Sequence, residues 1–373
     1  MRIALFSGNY NYLREGANQA LNKLAGHLES HEGCEVRAYS PVTDTPAFPP
    51  AGTLVPVPSI ALPVRGEFRL ALGLPQSIRR DLKRFRPDIV HVSTPDILGT
   101  RAQTFARKLG VPVVASMHTR FETYLDYYGL GWARPLAEAH LDRFYRRSDH
   151  VLAPTPALVA ELAAVRGDDR ASVWSRGIDR DLFRPERRSP EWRREQGLAD
   201  GDVVVLFFGR LVLEKGIDIF VSAVRTLQDK APVKALVVGA GPAEDAFRSL
   251  PGTVLTGHLD GAALARAVAS ADIMLSPSTT ETFGNVLLEA MACGLPVVSA
   301  DAPNARTLLV DGNTGMLCRP RDPGDYAGRM MPLVTSPRMR REMGAAARAA
   351  SAAYSWDAAS HSVAQVYRAL HRG

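Results

Sequence analysis

Two carboxylates, Glu281 and Glu289, stand eight positions apart in Glu281-Thr-Phe-Gly-Asn-Val-Leu-Leu-Glu289-Ala-Met-Ala-Cys-Gly-Leu-Pro-Val-Val. A carboxylate accepts hydrogen bonds from two neighbouring hydroxyls, as the diol of a ribose or hexose presents them. Between the two acids, the amides of Gly284, Asn285 and Val286 would be the first donors of a helix. Such donors lack intrahelical partners and form a natural seat for phosphate. The run Ile273-Met-Leu-Ser-Pro-Ser predicts a buried parallel strand just before the motif. The helix is expected to begin near Phe283, with Thr282 as its cap. Leu287, Ala290, Met291 and Gly294 then face the sheet, while Asn285 and Glu289, four apart, share another face. Glu281 hangs in the loop at the strand's carboxyl end and Glu289 projects from the helix. On spacing alone, a solvated amphipathic helix with two surface glutamates fits equally.

Other groups fall where a parallel sheet binds ligands, beyond the carboxyl ends of its strands. Gly209-Arg210-Leu-Val-Leu-Glu-Lys215-Gly216 follows the apolar run 203–208. Its glycine allows close approach, and its two cations can neutralise a diphosphate. An ordinary basic turn is an equal reading. The loop Ser7-Gly-Asn-Tyr-Asn-Tyr-Leu-Arg-Glu-Gly-Ala-Asn follows the first strand, and Gly16 opens the next helix. Met117-His118-Thr119-Arg120 follows the strand ending at Ser116. Val237-Val-Gly-Ala-Gly-Pro is half of a dinucleotide fingerprint; its third glycine is absent, because position 244 is Glu. Asp179-x-Asp181 and Asp200-x-Asp202 mimic a metal motif, yet neither follows an apolar strand, so they are read as hinge and turn residues.

The long motif Ser-Pro-Ser-x-x-Glu-Thr-Phe-Gly-Asn-x-x-x-Glu-Ala-Met-Ala-Cys-Gly-Leu-Pro-Val-Val resembles the signature of retaining glycosyltransferases of the GT-B fold, family four. The resemblance runs almost the whole chain. It implies that Glu289 holds the ribose hydroxyls of a nucleotide sugar, GDP- or UDP-linked. Glu281 and the backbone of Phe283, Gly284, Asn285 and Val286 would hold the donor sugar. Arg210 and Lys215 match the family's diphosphate-binding pair, and with them no metal or other cofactor is expected. Gly257-His258-Leu259 sits where the family's backbone reads the nucleobase. Gly16 matches the approach to the diphosphate, although Ala17 stands where many members have a second glycine. His118 matches a polar residue between donor sugar and acceptor. Trp174-Ser-Arg-Gly-Ile-Asp-Arg-Asp-Leu-Phe-Arg-Pro resembles the family's hinge, with Arg176 in place of Asn. That variant points to lipid-directed mannosyl- and sulfoquinovosyltransferase-like branches.

Strands and helices alternate through both halves, which argues for an α/β fold with parallel sheets. Strands are expected at 3–6, 36–40, 54–57, 89–92, 111–116, 203–208, 233–238, 253–255, 272–275 and 296–299. The resemblance implies two Rossmann-like domains facing across a cleft, whose closure would exclude water. One is 1–185 plus 355–373, on the acceptor side, with the last helix crossing back. The other is 186–354, on the nucleotide-sugar side. At 373 residues the chain has room for two domains, and no apolar run approaches a membrane span. Met1-Arg-Ile-Ala-Leu-Phe reads as a first strand, not a signal peptide. Cys34, Cys293 and Cys318 have no metal spacing and read as reduced thiols of a cytoplasmic protein. The formal charge of +6 favours anionic partners, phosphates or an anionic membrane face. No nucleic-acid partner is expected.

Basic and apolar residues interleave at 65–86, with Phe68 and Leu72 beside Arg79, Arg80, Lys83, Arg84 and Arg86. The same occurs at 132–147. Each could lie on the inner face of a membrane or bury its apolar side in the domain. The expected function is transfer of a hexose, with mannose foremost, to a lipid or lipid-linked glycan. The alternatives are a soluble sugar or small-molecule acceptor, a nucleotide-dependent oxidoreductase, or an idle sugar-binding or scaffold protein.

Overall fold

The structure is a computed structural model that describes residues 1–13, 15–61, 69–120, 122, 123, 125 and 129–372. Arg65 to Phe68, part of the basic stretch singled out above, fall outside them. The chain forms two compact units, Met1–Gly177 with Trp356–Gly373, and Ile178–Ser355. Residues 178–185, assigned to the first domain on sequence, pack in the second unit. Phe183 lies in its core, with Ile178 and Leu182 against it.

The first unit carries strands β1 (Arg2–Phe6), β2 (Glu35–Ser40), β3 (Thr53–Pro56), β4 (Ser59–Ala61), β5 (Arg69–Ala71), β6 (Ile89–Val92), β7 (Val113–Ser116), β8 (His150–Ala153) and β9 (Ala171–Val173). Seven of them form one sheet in the order β3-β2-β1-β6-β7-β8-β9, and β4 and β5 pair separately. The seven are parallel throughout, while β4–β5 is antiparallel. Strand β1 alternates cleanly: Ala4 and Phe6 enter one core, Ile3 and Leu5 the other. The second core also takes Val363, Ala364 and Tyr367 from the helix Trp356–Arg372, which lies beside the helix Gly16–Ser30. Gly177 is required where this helix begins, because a Cβ there would lie 2.1 Å from the Trp356 amide nitrogen.

The second unit carries β10 (Val203–Phe208), β11 (Val233–Val238), β12 (Val254–Leu255), β13 (Ile273–Ser276), β14 (Val297–Ala300) and β15 (Gly315–Cys318). They run parallel in the order β12-β11-β10-β13-β14-β15. This is the doubly wound order, with its reversal point between β10 and β13. Both faces of β10 are buried: Val204, Leu206 and Phe208 on one side, Val203, Val205 and Phe207 on the other. Strands buried on both faces read as continuous apolar runs, which is why β10 stood out in the sequence.

The helix Asn285–Ala292 buries Leu287, Leu288, Ala290 and Met291 against this sheet. It ends at Gly294, whose φ of 74° suits glycine. Gly344, in the helix Pro337–Ser351, lets that helix come close: a Cβ there would sit 2.0 Å from the Gly294 carbonyl oxygen. Gly344→Ala is therefore expected to cost about 1–3 kcal/mol by overpacking. Gly328→Ala is the control, because no atom lies within 4 Å of its Cβ position in the helix Pro323–Thr335. It should be neutral or stabilising by up to about 1 kcal/mol through helix propensity. Urea unfolding of the two variants compares them; equal midpoints would contradict this packing.

Candidate active site

The loops after β10 and β13 meet at the reversal point of the second sheet. Lys215 forms an ion pair with Glu281, joining positions far apart in sequence. Around that pair, Ser278 Oγ and Thr280 Oγ1 donate to the Glu214 carbonyl oxygen at 3.4 and 3.3 Å. Gly216, at φ 70°, brings its backbone so near that a Cβ would lie 3.0 Å from the Pro277 carbonyl oxygen. The pair therefore rests on close backbone approach, which a side chain at 216 would obstruct.

The helix begins at Asn285, two residues later than expected, and its cap is Gly284 rather than Thr282. Gly284 is left-handed at φ 94° and offers no side-chain cap bond. Sequence spacing could not show this turn, because Thr282 is the conventional cap type while a glycine turn carries no side-chain signal. Asn285 and Val286 supply the first-turn amides, and the Phe283 ring is buried against Tyr354 at 5.8 Å between centroids. Only the backbone of Phe283 is thus placed to serve a ligand.

Glu289 projects from the first turns of this helix. Burial pushes its carboxyl up to about 8, with no described cation or hydrogen-bond donor offsetting that cost. Such a carboxyl suits ligand hydroxyls, which would satisfy it. Asn304 was missed in the sequence. It follows β14 in the short helix Pro303–Leu308, is 3% exposed, and its Oδ1 has no hydrogen-bond partner among the described residues. Its Nδ2 lies 3.1 Å from the position of a Cβ on Gly284, beside the same amides.

The loops after β10, β11 and β12 are stitched together by backbone hydrogen bonds. Gly209 N donates to Val238 O and Leu211 N to Ala240 O, both at 3.0 Å. Gly239 N donates to Gly257 O at 2.8 Å. The half-fingerprint glycines serve this stitching. A Cβ on Gly239 would lie 1.9 Å from the Gly209 oxygen, and one on Gly241 2.3 Å from the Leu211 oxygen. Their role is to admit a neighbouring loop, which removes the observation that favoured an oxidoreductase. Arg210 and His258 are exposed on these loops, and space is open beside Gly257. Asp179 and Asp202 accept bonds from the amides of Leu182 and Ala199 at 2.9 and 2.8 Å, as turn residues do.

In the first unit, Gly16 is the first residue of its helix, after Glu15 in extended conformation. His118 follows β7 and is bonded through both ring nitrogens, to Ser116 Oγ at 2.8 Å and Arg176 at 3.0 Å. Burial first, then the charges of Arg176 and His91, hold its pKa well below the usual histidine value. Arg176 is buried too, and burial lowers it to about 10. The helix Gln76–Phe85 buries Ile78, Leu82 and Phe85, while Arg80, Lys83 and Arg84 are exposed and Arg79, half-buried, donates to the Leu74 carbonyl oxygen at 2.9 Å. The helix Arg134–Arg146 buries only Phe144 and Tyr145. Trp132 and Leu136, at its start, are 75% and 71% exposed, and Leu72 is 64% exposed.

Residues 14–182 match the Glycosyltransferase Family 4 sequence profile, and residues 202–336 that of Glycosyl transferases group 1. The sulfoquinovosyl transferase SQD2 of Arabidopsis thaliana is 31% identical over 95% of this chain and 68% of its own length. The chain belongs to this glycosyltransferase family. A GDP-mannose-dependent alpha-mannosyltransferase of Mycolicibacterium smegmatis is 34% identical over 85% of this chain and 84% of its own. Sucrose-phosphate synthase from Thermosynechococcus elongatus superimposes with a TM-score of 0.79, 20% identity, and coverage of 99% of this chain and 98% of its own. The fold is GT-B and the chain is a hexosyltransferase. In this glycosyltransferase no described helix is long and apolar enough to cross a membrane.

The Glu289 shift has a pH signature. Its folded pKa lies above the ordinary 4.5, so the folded chain retains a proton that the unfolded chain releases. The contribution of Glu289 to stability is then greatest below about 4.5 and falls as pH rises toward 8. Glu289→Gln should raise the melting temperature of ligand-free protein at pH 8, by about 1–3 kcal/mol of stability, and leave it unchanged at pH 4. Melting curves for the two proteins that keep one spacing across this range would contradict the assignment.

Proposed function

We propose that the enzyme transfers a hexose, mannose foremost, from a GDP- or UDP-linked sugar to a lipid or lipid-linked glycan. The transfer retains anomeric configuration and uses no divalent metal. The observation that carries this reading is the Lys215–Glu281 pair beside the Gly284 turn and Glu289, a half-buried carboxyl raised by desolvation. Lys215 has three ammonium hydrogens and spends one on Glu281, leaving donors for a diphosphate. Arg210 supplies the second cation. Glu289 would take the ribose hydroxyls, and the amides of Gly284, Asn285 and Val286, with Glu281, the sugar. Similarity to the GDP-mannose-dependent alpha-mannosyltransferase supports mannose, and Arg176 in the hinge-like motif, the variant whose resemblance points to lipid-directed branches, supports a lipid acceptor.

In the reaction, the bond from the anomeric carbon to the diphosphate oxygen breaks, and the acceptor oxygen bonds on the same face. The acceptor proton passes to the departing phosphate. Arg210 and Lys215 stabilise the charge that grows there. Glu281 is unsuited to be a nucleophile, since its charge is already committed to Lys215. Glu281→Gln should leave a slow, retaining enzyme, whereas Lys215→Ala and Arg210→Ala should lose about 100–1,000-fold in kcat. Turnover of GDP-mannose and UDP-hexoses is measured with and without chelator. The anomeric coupling constant of the product and the intact-protein mass after mixing with donor are also measured. An inverted product, a Glu281 adduct, or activity lost to chelator and restored by magnesium would each overturn the corresponding part.

The lipid acceptor has its own test. Exposed Leu72, Trp132 and Leu136, with the arginines near them in sequence, suit an anionic bilayer. Co-sedimentation with liposomes should rise with anionic lipid and fall with salt. Binding that ignores lipid charge, or no binding, would favour the soluble-acceptor alternative.

A further inference from the structure

Five side chains from separate parts of the first unit form one buried line of hydrogen bonds. Arg176 reaches His118 Nδ1 at 3.0 Å. His118 Nε2 lies 2.8 Å from Ser116 Oγ, and Ser116 Oγ lies 2.7 Å from His91 Nε2. His91 Nδ1 contacts the hydroxyl of Tyr367, on the helix Trp356–Arg372. Trp174 packs edge-on against both imidazoles, with centroids 5.8 and 5.3 Å away, and Arg176 lies over its ring at 5.0 Å.

The chemistry of the end group sets the direction of the first two links. A guanidinium only donates, so His118 Nδ1 must accept. A neutral ring carries its one hydrogen on the other nitrogen, so His118 Nε2–H donates to Ser116. The serine oxygen, with two lone pairs, is then bonded to His91 Nε2 in either direction, and His91 Nδ1 to the Tyr367 hydroxyl in the matching one. Both arrangements leave the first two links unchanged, because reversing those would require Arg176 to accept. Protonating His118 would place a second cation against Arg176. Among the described residues, the charged and titratable groups that act on the line are Arg176, His91 and, beyond Tyr367, Cys34. Burial keeps His91 itself low, at about 3.

We propose that Arg176 and Ser116 are positioning residues that fix His118 as the neutral Nε2–H tautomer, with His91 and Tyr367 holding the serine in place. His118 then takes no proton in the transfer. This rests on the proposed function only for its kinetic readout.

The test is a long-range proton–nitrogen correlation spectrum of the full-length protein labelled with 15N-histidine, recorded from about pH 5 to 8. His118 is assigned by its loss in His118→Asn. The expected spectrum shows a bare Nδ1 and a protonated Nε2 that do not titrate. Arg176→Gln replaces the obligatory donor with an amide that can also accept, and Ser116→Ala removes the acceptor of the Nε2 hydrogen. Arg176→Gln should mix the His118 tautomers, Ser116→Ala should shift the Nε2 signals, and each should lower kcat on the order of ten-fold, with donor KM changed less than about two-fold. Ser116→Thr, which keeps the hydroxyl, should restore both. A wild-type His118 that titrates near its ordinary pKa, or carries hydrogen on Nδ1, overturns the proposal. So do variants whose His118 signals match the wild type. If no nucleotide sugar turns over, the proposed function fails while the spectrum still decides this one.

Discussion

The candidate site of the second unit is organised around one electrostatic contact, the pairing of Lys215 with Glu281 across the reversal point of its sheet. Strands β10 and β13 are neighbours, so the loops leaving them are forced together, and an ammonium on one loop finds a carboxylate on the other. Neither side chain is fully exposed, at 16% and 21%, so the pair is screened less than a surface bridge. Its position matters more than its strength. It holds a cation and an acid beside a helix start whose amides still need an anion. The closeness comes from backbone: Gly216 against Pro277, and Gly284 turned left-handed before the helix.

The same economy of backbone explains the loops after β10, β11 and β12. Gly239 and Gly241 lack side chains so that carbonyls of Gly209 and Leu211 can fill the space. A dinucleotide fingerprint uses glycines to admit a pyrophosphate. Here the same residue type admits a neighbouring loop, and Arg210 and His258 are carried to the surface on the result.

Much of this was legible in the chain. The apolar runs of β10, β11 and β13 named themselves because strands buried on both faces have no polar alternation. The acids, cations and glycines of the site sit immediately after such runs. What stayed hidden depends on contacts distant in sequence or on conformation without a side-chain signature. The Gly284 cap displaced the expected Thr282 cap. Strand β9 is three residues long, β8 begins with a histidine after a polar turn, and β15 begins with a glycine after a turn rich in Asp, Gly and Asn, so none of them stands out as an apolar run. Asn304 becomes meaningful only once it lies beside Gly284. The line from Arg176 to Tyr367 draws on five dispersed positions, and only His118 among them lay where a strand-end loop invited attention.

The two units are not written into the chain in the same way. The second is one continuous segment, whereas the first is completed by residues beyond Trp356. A ribosome must therefore add residues 178–355 before the face of Ile3, Leu5, Leu21 and Leu24 receives its covering helix. At about 5–20 residues per second, that face waits roughly 10–35 seconds. Meanwhile the second unit can fold as soon as it emerges. The nascent first sheet thus keeps an exposed apolar side until Val363, Ala364 and Tyr367 arrive.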